Sequence, residues 1–140
     1  MNTTTTVFDC VLRLSGAVFD PDSFIRRTGL RASKVWRVGE PADDGLPLEA
    51  SGVTIGLCSD FSDQSVGSSW QDVVVTVLDT HYEAIRDACE DGGAQGELDL
   101  AVESRNYATT LRIATSLVRR VSTAGLGMSV SIYAVNDPVG

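Results

Sequence analysis

Gly96-Glu97-Leu98-Asp99-Leu100-Ala101-Val102-Glu103-Ser104-Arg105 is the stretch on which the fold turns. Leu98, Leu100 and Val102 alternate with Glu97, Asp99, Ala101 and Glu103. An extended strand converts that period of two into one apolar face and one polar face. The same alternation recurs at both ends of the chain. Over residues 5–14, Thr6, Phe8, Cys10, Leu12 and Leu14 alternate with Val7, Asp9, Val11 and Arg13. Over 128–134, Met128, Val130, Ile132 and Ala134 alternate with Ser129, Ser131 and Tyr133. A further strand at 53–58 puts Val53, Ile55 and Leu57 on one side. Strands that are apolar on one side only argue against a doubly wound parallel sheet, whose strands are apolar on both faces. The expected fold class is α+β: a mostly antiparallel four- to five-stranded sheet with three helices packed mainly on one face.

The helices announce themselves by their ends. In Phe19-Asp20-Pro21-Asp22-Ser23-Phe24, Asp20 suits the N-cap and Pro21 the first helical position, where a missing N–H costs nothing. Phe19 and Phe24 are spaced to staple across the cap, and Gly29 reads as a left-handed stop. Capping accounts for Asp20 and Asp22 without a metal, because no loop of further oxygen ligands follows. The longest helix is expected to open at Ser69, with Asp72 completing something close to a capping box. Its apolar stripe takes in Trp70, Val73, Val74, Val77, Leu78, His81, Ile85, Ala88 and Cys89. Asp72, Asp79, Glu83, Asp87 and Glu90 form the opposite face. Val73, Val74 and Val75 are poor helix formers, but the length of the stripe decides for helix, and Gly92-Gly93 ends it. A third helix is expected from Thr109 or Thr110 to Ala124, with Leu111, Ala114, Leu117, Val118 and Val121 inward and Gly125-Leu126 as its stop.

Between these elements, residues 30–51 read as a loop-rich segment. Val35-Trp36-Arg37-Val38 is its one short extended piece, and Gly39-Glu40-Pro41, Asp43-Asp44-Gly45 and Pro47 break the rest. Residues 59–68 are polar turn material and 136–140 a tail. The 140 residues make a single domain, 1–140, long enough to bury about two-thirds of the unfolded surface around one core.

Composition limits the function classes. With 43% hydrophobic and 21% charged residues the chain is an ordinary globular one. Its apolar runs are too short to span a bilayer, and its first residues lack a secretion signal. A cytoplasmic protein with no membrane partner is expected. A net charge of −8 disfavours nucleic acid as a partner and suits a basic protein. Cys10, Cys58 and Cys89 are far apart and odd in number, with no C-x-x-C spacing to hold zinc. Free thiols acting as small hydrophobes in a reducing compartment fit best.

Leu12-Arg13-Leu14-Ser15-Gly16, Phe19-Asp20-Pro21-Asp22, Thr28-Gly29-Leu30 and Val38-Gly39-Glu40-Pro41, together with Leu126-Gly127 and Ile132-Tyr133, resemble an uncharacterised bacterial family, domain of unknown function 4279. Its members open with a strand ending in a Ser-Gly or Gly-Asp turn, then an Asp-Pro helix, a Leu-Gly element and a Gly-Glu-Pro loop. They close with a helix, a Leu-Gly turn and a strand ending in Ile-Tyr. The matching positions are turns, caps and core residues across nearly the whole chain. The resemblance therefore implies a fold and a bacterial origin, not a reaction.

Chemistry-bearing residues are sparse. His81 is the only histidine, and its place on the apolar stripe reads as a core or boundary residue. No nucleophile elbow surrounds any serine, and Gly125-Leu126-Gly127 follows a helix where a phosphate cradle would open one. No catalytic set, metal site or cofactor is expected. Glu97, Asp99 and Glu103 could pair as acid and base, yet alternating carboxylates on a strand are usually its wet side. That wet side is the leading candidate surface. Asp9, Arg13, Glu97, Asp99, Glu103, Ser131 and Tyr133 would share it, with Arg13 paired to a carboxylate, as the partner-binding face of a non-catalytic module of immunity or antitoxin type. The alternative is a sensor or enzyme that binds an anionic ligand through Arg26, Arg27, Arg31, Lys34 and Arg37, with Trp36 stacking beside it. Those five hold nearly half of the eleven basic residues, with no acid between Asp22 and Glu40. Homodimerisation through an uncovered sheet face or edge is compatible with either reading.

Overall fold

The computed structural model of the chain describes residues 5–58, 69–104 and 111–134. Among them the order is β1 (Thr5–Gly16), α1 (Pro21–Thr28), β2 (Lys34–Trp36), β3 (Ser51–Cys58), α2 (Ser69–Thr80), α3 (Tyr82–Glu90), β4 (Gln95–Ser104), α4 (Thr115–Thr123) and β5 (Leu126–Ala134). The strands form one five-stranded sheet in the order β2-β3-β1-β4-β5. The protein is α+β, with a mixed sheet and four helices.

β1 lies at the centre, antiparallel to β3 and β4, and β2 runs antiparallel to β3. β4 and β5 are parallel. The expectation of a mostly antiparallel sheet holds for three of the four pairings. The fourth differs because α4 carries the chain back across the sheet, so β5 starts at the same end as β4.

All the fully buried strand side chains have one parity. Cys10, Leu12, Leu14, Val53, Ile55, Leu98, Leu100 and Val102 join Trp70, Val74, Leu78, Ile85, Leu117 and Val121 in a single core. The helices therefore cover one face of the sheet. At α1, Asp20 accepts hydrogen bonds from the N–H groups of Asp22 and Ser23 at 3.1 and 3.2 Å. Gly29 ends the helix at φ 72°, with its N–H on the Ile25 carbonyl. Phe19 and Phe24 sit with ring centroids 6.0 Å apart, both buried. This corner follows the sequence reading throughout.

Two helix expectations need correction. The long helix bends at His81 (φ −112°, ψ 21°) into α2 and α3. Backbone bonds from His81 N–H to Val77 and from Ile85 N–H to His81 carry the ladder across the joint. The cause is local. The β-branched run weakens this part of the helix, and the Thr76 and Thr80 hydroxyls turn back onto the carbonyls of Asp72 and Thr76, a bond that bends helices. His81 is consequently half-buried at the joint, and Val73 is exposed. The Ser69 cap rests on a side chain outside the described ones.

The second correction concerns α4. Thr109 and Thr110 lie outside the described residues, but 111–114 are not helical, Ala114 is extended, and the helix starts at Thr115. Buried Gln71 explains the delay: its amide donates to the Arg112 carbonyl (3.0 Å) and its oxygen accepts from the Ala114 N–H (2.8 Å). Both backbone groups are satisfied without a helical turn. Ala114 and Val118 are exposed, and the inward stripe reduces to Leu117 and Val121.

Candidate functional site

The face of the sheet away from the helices carries most of the polar strand residues. Cross-strand register arranges them in rows. One row reads Lys34, Thr54, Arg13, Glu97, Gly127, and the next reads Gly56, Val11, Asp99, Ser129. Beyond these, Asp9 aligns with Ala101 and Ser131, and Glu103 with Tyr133. The seven residues expected on the wet side are thus brought together. The expected pairing of Arg13 is with Asp99. Sequence reading missed Thr54 and Ser15 as members of this face. Their signal was present, since Thr54 separates inward Val53 from Ile55.

Trp36 and Lys34 belong here as well, at the sheet's other margin, because buried-side Val35 between them turns both outward. The Lys34 ammonium stands 5.7 Å from the Trp36 ring centroid. The indole lies across Gly52, where only a missing side chain leaves room for it.

Glu97 and Asp99 titrate as a pair. The Ser129 hydroxyl donates to Glu97 and, with a hydrogen bond from Asp99, holds its carboxyl below the usual value of 4.5. Burial pushes Asp99 above its usual 3.8, and the neighbouring Glu97 adds to the rise against the pull of Arg13. The two carboxyls therefore shift in opposite directions, Glu97 down and Asp99 up.

A cleft of about 520 Å³ opens at one end of the face, lined by Arg13, Ser15, Gln95, Gly96 and Glu97 and, past the strand end, by Cys89. Burial raises the Cys89 thiol above its ordinary value of 9.0, with the charge of Glu90 acting in the same direction. At neutral pH it is the protonated thiol, not a nucleophile.

The six residues of the alternative anion site spread over several surroundings. Arg37 makes two hydrogen bonds to Asp22, at 2.7 and 3.0 Å, and lies 3.7 Å from Glu40. Arg27 pairs with Asp87 at 2.9 Å. Lys34 and Trp36 stand on the sheet face, while Arg26 and Arg31 are exposed. Arg37 holds Asp22 below its usual 3.8 through that hydrogen bond. Both Arg27 and Arg37 are thus neutralised by carboxylates from within the chain.

No group of three or more His, Cys, Asp or Glu placed to hold a metal occurs among the described residues. No helix there is long and apolar enough to cross a membrane.

Among the described residues the class is a one-sided α+β sandwich. The chain belongs to the family described as Domain of unknown function (DUF4279), whose sequence pattern matches residues 3–135. No curated protein and no solved structure matches it.

Proposed function

We propose that the uncovered sheet face docks a basic protein partner and that the chain acts as a non-catalytic binding module, of immunity or antitoxin type. The observation that carries this reading is the clustering of Asp9, Glu97, Asp99 and Glu103 on one helix-free face, bordered by Ser129, Ser131 and Tyr133. Arg13 is turned onto Asp99, and Lys34 stands exposed at the far margin. Such a face steers a positively charged partner and fixes its register through hydroxyl and carboxylate acceptors. The protonated Cys89 thiol and the half-buried His81 at a helix joint supply no nucleophile–base pair near it.

Affinity capture from an extract of the encoding organism, washed at low and then at high ionic strength, tests the reading. A protein of basic composition that is retained at low salt and released at high salt is expected. No retained protein at low salt contradicts it.

A further inference from the structure

β5 is an edge strand of unusual make-up. Leu126-Gly127-Met128-Ser129-Val130-Ser131-Ile132-Tyr133-Ala134 contains no charged residue and no proline, two of the devices by which proteins blunt a sheet edge. Among the described residues it pairs only with β4.

Element lengths leave its second half uncovered. A nine-residue helix such as α4 spans about 14 Å, while the nine residues of β5 extend about 30 Å. Leu126, at the start of the strand, is buried beside Gly96, whereas Val130 is 42% and Ile132 61% exposed, although their β4 neighbours Leu100 and Val102 are buried.

We propose that this edge pairs antiparallel with β5 of a second copy of the chain, joining two sheets into one ten-stranded sheet across a twofold axis at Ser131. The sequence around Ser131 is self-complementary in its side-chain classes. In that register Ser131 faces Ser131, Val130 faces Ile132 of the second copy on the helix side, and Ser129 faces Tyr133 on the other. Hydroxyl meets hydroxyl and β-branched meets β-branched, the pairs that stabilise antiparallel ladders. No like charges come opposite each other, which is the first requirement for self-pairing of a chain with net charge −8.

Electrostatics also separates this contact from the docking face. The nearest β4 carboxylates of the two copies would stand three strand spacings apart, about 14 Å. That repulsion is felt at 0.01 M salt, where the screening length is about 30 Å, and is largely suppressed at 0.15 M, where it is about 8 Å. Salt therefore strengthens self-association, whereas it weakens capture of a basic partner by the acidic face. The two readings succeed or fail independently.

Sedimentation velocity at both salt concentrations tests the proposal on the wild type, Ser131→Lys, Ser131→Glu and an equal mixture of the two variants. The proposal expects a wild-type dimer that is tighter at 0.15 M, a monomer for each variant alone, and a heterodimer in the mixture. A Leu46→Lys variant, exposed in the segment between β2 and β3 at the opposite edge of the sheet, keeps the dimer. Circular dichroism of each variant confirms the fold, and Ile132→Lys replaces any Ser131 variant that misfolds. A wild type that stays monomeric, or a dimer indifferent to these edge substitutions, overturns the proposal.

Discussion

Glu97 and Asp99 stand two residues apart on one face of β4, and their environments shift their acidities in opposite directions. Carboxyl-carbon NMR should show Glu97 titrating below its unperturbed 4.5 and Asp99 above its unperturbed 3.8. Ser129→Ala removes the first cause and should return Glu97 towards 4.5. The linkage has opposite signs for the two groups. Glu97, lowered on folding, contributes stability above 4.5 that is lost as pH falls through its folded value. Asp99, raised on folding, contributes stability at low pH that is lost as pH rises through its own. Relative to Asp99→Asn, the wild type should therefore lose stability between pH 3.8 and neutrality, read from urea denaturation at several pH values. Gly52 is the other residue with a sharp expectation. A Cβ there meets the Trp36 ring and comes within 2.8 Å of the Leu14 carbonyl. The ring can swing aside, but the strand backbone cannot. Gly52→Ala should cost about 1–3 kcal/mol by overpacking, and an unchanged denaturation midpoint would contradict the placement of Trp36.

At the scale of elements, caps and alternation were legible and joints were not. Asp20, Pro21 and Gly29 fixed α1 because each acts on the backbone within four residues of itself. Asp20→Ala should cost about 1 kcal/mol in thermal or urea unfolding. The α2–α3 bend and the late start of α4 escaped because both depend on partners outside the local pattern. A helical stripe continues in sequence across His81 whether or not the axis bends there. Gln71 lies 41 residues from Arg112, and nothing in its neighbourhood announces the bond. Gln71→Ala orphans the Arg112 carbonyl and the Ala114 N–H and should cost about 1–3 kcal/mol. Faster amide exchange at Ala114 than at the Leu117 amide would locate the loss at the entry to α4. Equal exchange at the two amides would contradict that role for Gln71.

For the whole molecule, a one-sided sheet followed from three alternating strands, because parity alone decides which residues share a face. The wet-side residues could be named from one strand at a time, and pairing then aligned them as rows. The pairing order could not be read in the same way. The parallel β4–β5 pair depends on where α4 packs, and the turning of Lys34 and Trp36 onto the face depends on β2 finding β3 across the loop-rich segment. The basic segment shows the same limit in reverse. Cations close in sequence are spread over several surroundings by a fold that gives Arg27 and Arg37 acidic neighbours from other elements.

The docking role of the acidic sheet face is tested most directly by comparing two variants of equal charge in the capture experiment. Asp9→Asn/Glu97→Gln/Glu103→Gln neutralises three carboxylates on the face, and Asp72→Asn/Glu83→Gln/Glu90→Gln neutralises three on the exposed sides of α2 and α3. The sheet-face variant should lose the salt-sensitive partner while the helix variant retains it. Retention by the sheet-face variant, or loss confined to the helix variant, would contradict a partner bound at the sheet.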